Sequence, residues 1–358
     1  MRKSIRWGVT GAAAAASLAC AGSALGAAFG PQLVSVSPSG PKLGPLVSLT
    51  GTIGRNDDPI AKVQLYAPVG FTLTAPPVGG KVGTAAGVSI ATDVGNDEEH
   101  LRGDIVAVNP ADPAYAQLSA TCDNVAHAAV WVARLQAAGQ SLNVPIFVDR
   151  TTGAEAQLAS TKLVVCLAPQ DAPVGSAVKT PGGEKLVSFT FNLTALSNPS
   201  AAGEYRWRSL WTPYVSGTAT IDPAKTVEAQ SVVRLPASLS LTAKRSKQGK
   251  RTIVTLRGHA SVPATKLAAN ADIGPGTAVA LMLGKSAAKL TALKGVVTTG
   301  AGDFTRRVTI TKHTYFRAAL VTAATKADCP PSFGATVPCV SGTVGGVNLR
   351  SALIRIKP

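Results

Sequence analysis

The sequence predicts an all-β protein with two β-sandwich domains that follow an N-terminal signal peptide. Thr, Val, Gly and Pro are prominent, whereas Glu, Lys and Met rarely recur at the period of a helix. Short apolar runs alternate with turns rich in Gly, Pro, Asn and Asp. About 330 residues follow the signal segment, enough for two domains that each have a core.

The first 28 residues have the composition of a cleavable signal peptide. Three basic residues within the first six positions precede an apolar run that ends at Ala21, and small residues at 23–28 supply a cleavage site. The run is too short and alanine-rich for a good membrane span of roughly 20 strongly apolar residues. A lipoprotein signal acylated at Cys20 is the alternative, although Leu18 lies one position too close to that cysteine. We expect a secreted, extracellular or cell-envelope protein with no transmembrane segment.

Four cysteines remain after removal of the signal, and an even number favours disulfides in an exported chain. Three pairings are possible. The simplest joins Cys122 to Cys166 and Cys329 to Cys339, which leaves no free thiol. A zinc site is disfavoured because the C-x-x-C spacing and nearby histidines are missing from the sequence.

In the first long segment, apolar runs indicate strands at 46–53, 62–66, 71–73, 144–148, 163–167 and 186–193. The period of two is clearest in the last run. There Val187, Phe189, Phe191 and Leu193 would share the buried face of an antiparallel strand.

Residues 125–138 fit either a helix or a β-hairpin, because Ala, Leu and Val there match both periods. The turn-like sequence at 138–140 and the strand-like run at 142–148 favour a hairpin, with Trp131 facing inward.

The charge balance changes abruptly near residue 236. Residues 29–236 contain 14 Lys/Arg and 16 Asp/Glu, whereas residues 237–358 contain 18 and 3, for net charges of −2 and +15. We therefore predict an N-terminal β-sandwich domain over 29–236 and a basic domain over 237–358.

The second segment contains a series of β-type sequences: SLSL at 238–241, KRSKQGKRTIVTL at 244–256 followed by RG, TAVALML at 277–283, GAGDF at 300–304, RVTI at 307–310, YFRA at 315–318 and LIRI at 353–356. In this order it resembles the bacterial Ig-like domains that recur in tandem on exported proteins. The resemblance covers about a third of the chain and implies a spacer, adhesin or binding module without chemistry. The insertion at 326–347 departs from the family, which often has a short hairpin there. The first segment resembles uncharacterised exported β-sandwich proteins of high-GC bacteria.

Motifs for catalysis are missing from the sequence. None of the four histidines lies in a metal-ligand spacing, and no Gly-x-Ser-x-Gly elbow, P-loop or dinucleotide fingerprint occurs. We expect a non-enzymatic protein without a cofactor. A histidine within hydrogen-bond reach of Ser and Asp in an open cleft would point to a hydrolase instead.

The densest acidic cluster offers candidate ligands for Ca²⁺ at Asp93, Asp97, Glu98 and Asp104. Its spacing lacks the alternation of an EF-hand loop, so we favour a solvated acidic loop.

An aromatic cluster contains Tyr205, Trp207, Trp211 and Tyr214. If buried, these rings are core, and they would pack against the Cys122–Cys166 bridge. If exposed, they would stack on sugar rings and form a glycan-binding module. We favour packing for Trp207 and leave Trp211 open.

Five basic residues cluster around a predicted hairpin tip: Lys244, Arg245, Lys247, Lys250 and Arg251. We expect them to adhere to anionic envelope polymers such as acidic glycans, teichoic-type polymers or lipid headgroups. The competing interpretation is that dispersed Lys and Arg keep a spacer soluble and protect its edge strands. Nucleic acid is not an expected partner in vivo, because the chain is exported and carries no binding motif for it.

Overall fold

The computed structural model describes residues 29–39, 47–113, 115, 122–123, 125–137, 140–170, 181–249, 251–264, 266 and 273–358. The predicted signal peptide, with Cys20, and the predicted anion-binding Lys250 lie outside these residues. Within them the regular structure is β, with a few short 3₁₀ turns such as Thr92–Val94, Gly153–Gln157 and Pro223–Lys225. In this part of the chain no helix is long and apolar enough to cross a membrane.

The strands of the first segment are β1 (Gln32–Ser39), β2 (Val47–Thr52), β3 (Ile60–Ala67), β4 (Thr72–Leu73), β5 (Lys81–Ala91), β6 (Asp97–Val108), β7 (Ala129–Ala137), β8 (Gln140–Arg150), β9 (Thr161–Cys166), β10 (Glu184–Leu193), β11 (Leu196–Ser197), β12 (Gly203–Pro213) and β13 (Val227–Leu235). The strands of the second segment are β14 (Ser238–Gln248), β15 (Arg251–Ser261), β16 (Val279–Ser286), β17 (Lys289–Leu293), β18 (Asp303–Ile310), β19 (Thr314–Val321), β20 (Thr325–Lys326), β21 (Cys339–Val344), β22 (Val347–Arg350) and β23 (Ile354–Ile356).

The large first sheet has the order β1–β2–β10–β5–β6–β7–β8–β9–β3–β12–β13–β21–β20. It curves around one apolar core, so that β1 comes to lie beside β13 and β21. Side-chain hydrogen bonds join these strands: the Ser35 amide donates to Ser231 Oγ at 2.8 Å, and Thr343 Oγ1 donates to the Leu33 carbonyl at 2.8 Å. The inward residues of nearly every strand therefore contact the same core.

Strand β10 shows how a period of two is modified by a bulge. Phe189, Phe191 and Leu193 are buried as expected, but the pairing of β10 with β5 shifts register between Leu186 and Ser188. A bulge inserts an extra residue and changes which side chains face inward. Val187 is consequently only half-buried, and the prediction of four inward residues is correct for three.

The segment that fitted both helix and hairpin is a hairpin of β7 and β8, joined in antiparallel register from Ala129 and Val148 to Ala137 and Gln140. Trp131 faces inward and is fully buried.

A second apolar core begins at Ala237, directly after the last core residue of the first segment, Leu235. It lies between the three-stranded sheet β14–β15–β18 and a sheet in which β19 pairs with β16, β22 and β23, and β16 with β17. Two sheets thus enclose this core, in agreement with a β-sandwich.

The insertion at 326–347 departs from the predicted linear division at residue 236. Its strand β21 pairs in parallel with β13, opposite residues 228–232, and therefore extends the first sheet. Phe333 packs on Tyr66 of β3, with ring centroids 4.8 Å apart. The disulfide-closed insertion thus belongs to the second segment in sequence and to the first sheet in space.

Candidate functional sites

Both disulfides form with the predicted pairing, Cys122 to Cys166 and Cys329 to Cys339. Trp207 belongs to the main core of the first sheet, whereas the first bridge lies beside other apolar residues. This bridge packs beside a small separate cluster that contains Val130, Phe147 and Val164.

The two tryptophans of the aromatic cluster are core residues and offer no glycan site. Trp207 and Trp211 are both 0% exposed. Phe71 packs edge-on against Trp207 at 5.0 Å, and Phe189 stacks on Trp211 at 5.7 Å. Because both indole faces are covered by protein, a sugar ring has no access to them. The glycan-binding alternative, which required exposed rings, is wrong for these tryptophans.

The two tyrosines of the cluster are held by backbone carbonyls. Tyr205 is partly exposed and its hydroxyl donates to the Ala201 carbonyl at 2.7 Å, while the Tyr214 hydroxyl donates to the Leu167 carbonyl at 2.6 Å. Burial raises the pKa of Tyr214 to about 12.

The raised pKa of Tyr214 predicts alkaline destabilisation. Above pH 10 the unfolded chain loses the phenolic proton while the folded chain keeps it, so the unfolded state binds fewer protons and the free energy of unfolding falls with rising pH. The expected loss is at most about 1.4 kcal/mol per pH unit between pH 10 and 12. Urea titrations at pH 8, 10 and 11 check this. Tyr214→Phe should be less stable at pH 8 and lose less stability above pH 10; parallel pH curves for both proteins would contradict it.

The candidate Ca²⁺ ligands do not converge. Asp93 lies in the 3₁₀ turn Thr92–Val94, whereas Asp97 and Asp104 lie seven residues apart on β6, roughly 23 Å along a strand. Glu98 pairs with Arg55, and Asp104 pairs with Lys81 at 2.6 Å. No group of three His, Cys, Asp or Glu side chains suited to a metal occurs among the residues that the structure describes. The favoured acidic loop is wrong for residues 97–104, which lie in strand β6, and the calcium alternative is not supported, because the extended strand separates carboxylates that are close in sequence.

One row across the sheet β14–β15–β18 contains Ser240, His259 and Asp303. The Nδ1 atom of His259 lies 3.0 Å from Asp303 Oδ1. The Ser240 hydroxyl, however, contacts the backbone amide and carbonyl of His259, at 3.2 and 3.3 Å, and all three residues lie on an open sheet face. In a hydrolase triad the serine hydroxyl forms a hydrogen bond with the histidine nitrogen that does not contact the aspartate, here Nε2. This row therefore lacks the geometry of a hydrolase triad.

The basic hairpin exists, but strand alternation divides its charges between two faces. Lys244, Arg245, Lys247 and Arg251 are all exposed. Because successive side chains point to opposite faces, Lys244 points away from the core, whereas Arg245 lies on the core side at the rim. There its guanidinium donates to the Lys357 carbonyl at 3.2 Å.

The outer face of β14–β15–β18 contains Lys244 and, at the hairpin end, Arg251, and it adds two cations that lie outside the predicted tip. In one row across the three strands, Thr255 of β15 lies between Lys244 of β14 and Arg307 of β18. In the neighbouring row, Arg257 lies between Thr242 and Thr305. We call this surface the basic face, defined by Lys244, Arg257 and Arg307 with the threonines between them. Strand spacing places Lys244 and Arg307 roughly 10 Å apart. Arg257 was not among the predicted anion-binding residues, although the alternation of the hairpin would have indicated it.

A cavity of about 710 Å³ lies inside the first sheet. Its walls are mostly apolar and include Phe189 and Phe191 of β10, Leu135 of β7, Val144 of β8 and Val165 of β9. The exposed loop residues Ala168 and Ala219 line its outer end. Sequence reasoning did not indicate this site.

Small residues create the space. Ala85 of β5, Ala133 of β7 and Ala61 of β3 line the cavity, where branched or aromatic side chains would fill it. Gly87 of β5 also lines it, and a Cβ there would meet the Ser188 carbonyl oxygen at 2.9 Å. Voids in well-packed cores are rarely larger than a water molecule, so a space of this size is not an ordinary packing defect.

Comparison of the chain with protein-family models and with the sequences of curated proteins gives no match. The fold and the sites define a class: an all-β protein with two disulfides, a basic face and an apolar cavity.

Proposed function

We propose that the chain is an exported, non-catalytic protein of the cell envelope or extracellular space, and that its second segment is an Ig-like β-sandwich domain that adheres to anionic polymers. The observation that carries this proposal is the basic face. It presents three cations and interleaved hydroxyl groups, and the one acidic residue of these strands, Asp303, lies one row beyond Arg257 at the edge of this surface, where it contacts His259.

The net charge of the segment supports this function. With +15 on residues 237–358, the segment generates a positive potential of several kT near its surface, which concentrates polyanions there. Cations about 10 Å apart on a rigid sheet can contact successive charges of a flexible polymer, and threonine hydroxyls can donate to its oxygens.

The experiment compares two triple variants of the full-length mature protein. The first changes Lys244, Arg257 and Arg307 to Gln. The second changes Lys285, Lys289 and Lys294, exposed cations of the β16–β17 hairpin region, to Gln and so removes the same charge elsewhere. Binding to poly(glycerol phosphate) is measured from low salt to about 300 mM salt. The full chain is used because the insertion of the second segment pairs with the first sheet.

We expect the basic-face variant to bind at least ten times more weakly at low salt than the control variant. The slope of log affinity against log salt should fall by about 2, since each cation–phosphate contact contributes roughly 0.7 on a flexible polyanion. If both variants weaken binding equally, net charge alone is responsible and the basic face is a solubility device. If the unmodified protein does not bind at low salt, the adhesion proposal is wrong.

A further inference from the structure

The cavity of the first sheet carries an inference that is independent of polyanion adhesion. Its volume lies within the range of about 300–1,000 Å³ in which proteins bind small molecules. Such sites combine mostly apolar walls with a few placed polar groups, and both features are present here.

Two polar atoms in the cavity wall point to a ligand with a hydrogen-bonding end. Ser89 is only 1% exposed, and its hydroxyl has no hydrogen-bond partner among the described residues. The Oε2 atom of Glu184 is likewise buried without such a partner, and both residues line the cavity. Ser89 is paired with Leu186, two residues from Glu184 on β10, so the two side chains lie at the same end of the cavity. Buried polar groups are nearly always hydrogen-bonded, and these two atoms could be satisfied by one bound molecule.

The chemistry of these atoms indicates which end group fits. A carboxylate oxygen accepts and cannot donate, whereas a hydroxyl can do both. A ligand O–H or N–H would donate to Glu184 and could accept from Ser89. A ligand carboxylate would instead face the Glu184 oxygen and be repelled, while the neighbouring cation, Lys185, already donates to the Arg55 and Asp57 carbonyls.

We propose that this cavity binds a small, neutral molecule that is apolar over most of its surface and carries one hydroxyl or N–H group at its end. The apolar body lies against Phe189, Phe191 and Leu135, and the polar end lies at Ser89 and Glu184. The small side chains at positions 85, 87 and 133 provide the room for the apolar body.

The test uses the fluorescent probe N-phenyl-1-naphthylamine, which is neutral and apolar and has one N–H donor, with the mature full-length protein. Ala133→Phe and Ala85→Leu fill the cavity from two different strands. Ala229→Leu is the matched control, because Ala229 is fully buried in the same core but does not line the cavity. Melting temperatures are measured for every variant.

We expect saturable binding of one probe per chain and at least a tenfold loss of affinity in both filling variants, with an unchanged or higher melting temperature. The control should keep the probe affinity of the unmodified protein even where overpacking lowers its melting temperature. Retained affinity in both filling variants, or absence of saturable binding to the unmodified protein, would overturn the proposal.

Competition identifies the polar end. At pH 8, 1-dodecanol should displace the probe at a lower concentration than dodecanoate, and Ser89→Ala should reduce the advantage of the alcohol. Displacement by dodecanoate that is equal or better would show that the end group has been assigned incorrectly.

Discussion

Replacing Cys122 and Cys166 by serine should lower the free energy of unfolding by about 4 kcal/mol. The bridge joins residues 44 positions apart in sequence, with Cα atoms 6.0 Å apart. Without it, the unfolded chain gains the entropy of an open loop of that length, while the folded sheet keeps its other contacts. Cys166 is the last residue of β9, which lies between β8 and β3. The removed bridge is therefore attached to the middle of the first sheet.

The second disulfide provides an internal control for this prediction. Cys329 and Cys339 are only 10 positions apart, and the same relation gives about 2.7 kcal/mol for their loop. Urea unfolding of the two double-serine variants, followed by fluorescence of the buried tryptophans, measures both values. A larger loss in the Cys329→Ser, Cys339→Ser variant would show that loop length does not determine the contribution of these bridges.

Much of the first sheet could be predicted because its strongest signals are local. The six apolar runs of the first segment lie in β2, β3, β4, β8, β9 and β10, and the disulfide pairing followed from separation in sequence alone. The burial of Trp131 likewise agrees with local alternation along one strand.

Strands β5 and β6 could not be predicted in the same way. The inward positions of β5 include Ala85, Gly87 and Ser89, which have too little apolar surface to stand out as a core strand. Strand β6 begins with charged residues that resemble a loop. The same feature that hid β5, small residues in place of large apolar ones, opens the cavity, so the site and the missed strand have one physical cause.

The basic face shows a different limit of prediction from the sequence. Charges that are adjacent in sequence were grouped at the hairpin tip, but in a strand only alternate residues share a face. Lys244 meets Arg257 and Arg307 through cross-strand register with β15 and β18, and no local pattern contains that register. The parallel pairing of β21 with β13 is longer in range still, since it joins residues more than 100 positions apart.

We expect that long-range contact to depend on one buried carboxylate. Replacing Glu228 by alanine should lower the free energy of unfolding by about 3–5 kcal/mol, because two hydrogen bonds to a charged acceptor, each contributing about 1.5–3 kcal/mol, would be lost. Glu228 is 0% exposed on β13. Its Oε2 accepts a hydrogen bond from the backbone amide of Ser332 at 2.8 Å, and its Oε1 accepts one from the side-chain Nε2 of Gln230 at 2.7 Å. With alanine at this position, the backbone amide of Ser332 and one N–H of the Gln230 side chain would lose their hydrogen-bond acceptor.

Arginine side chains extend this network beneath the insertion. Arg208 donates from Nε to Ser332 Oγ at 2.9 Å, and burial lowers its pKa while the charge of Glu228 acts in the opposite direction. Arg206 donates to Gln230 Oε1 at 2.5 Å. Loss of the carboxylate therefore removes a favourable charge interaction for a half-buried cation as well as two hydrogen bonds.

Glu98→Ala is the control, because Glu98 forms a surface ion pair with Arg55 whose loss should cost less than about 1 kcal/mol.

A second readout, limited proteolysis within residues 331–337, reports directly on the insertion. If Glu228 holds it against β13, Glu228→Ala should be cleaved there much faster than the control, and Glu228→Gln, which keeps one acceptor oxygen, should be intermediate. Equal protection in all three variants would mean that the pairing of β21 with β13 and the packing of Phe333 on Tyr66 hold the insertion without the carboxylate.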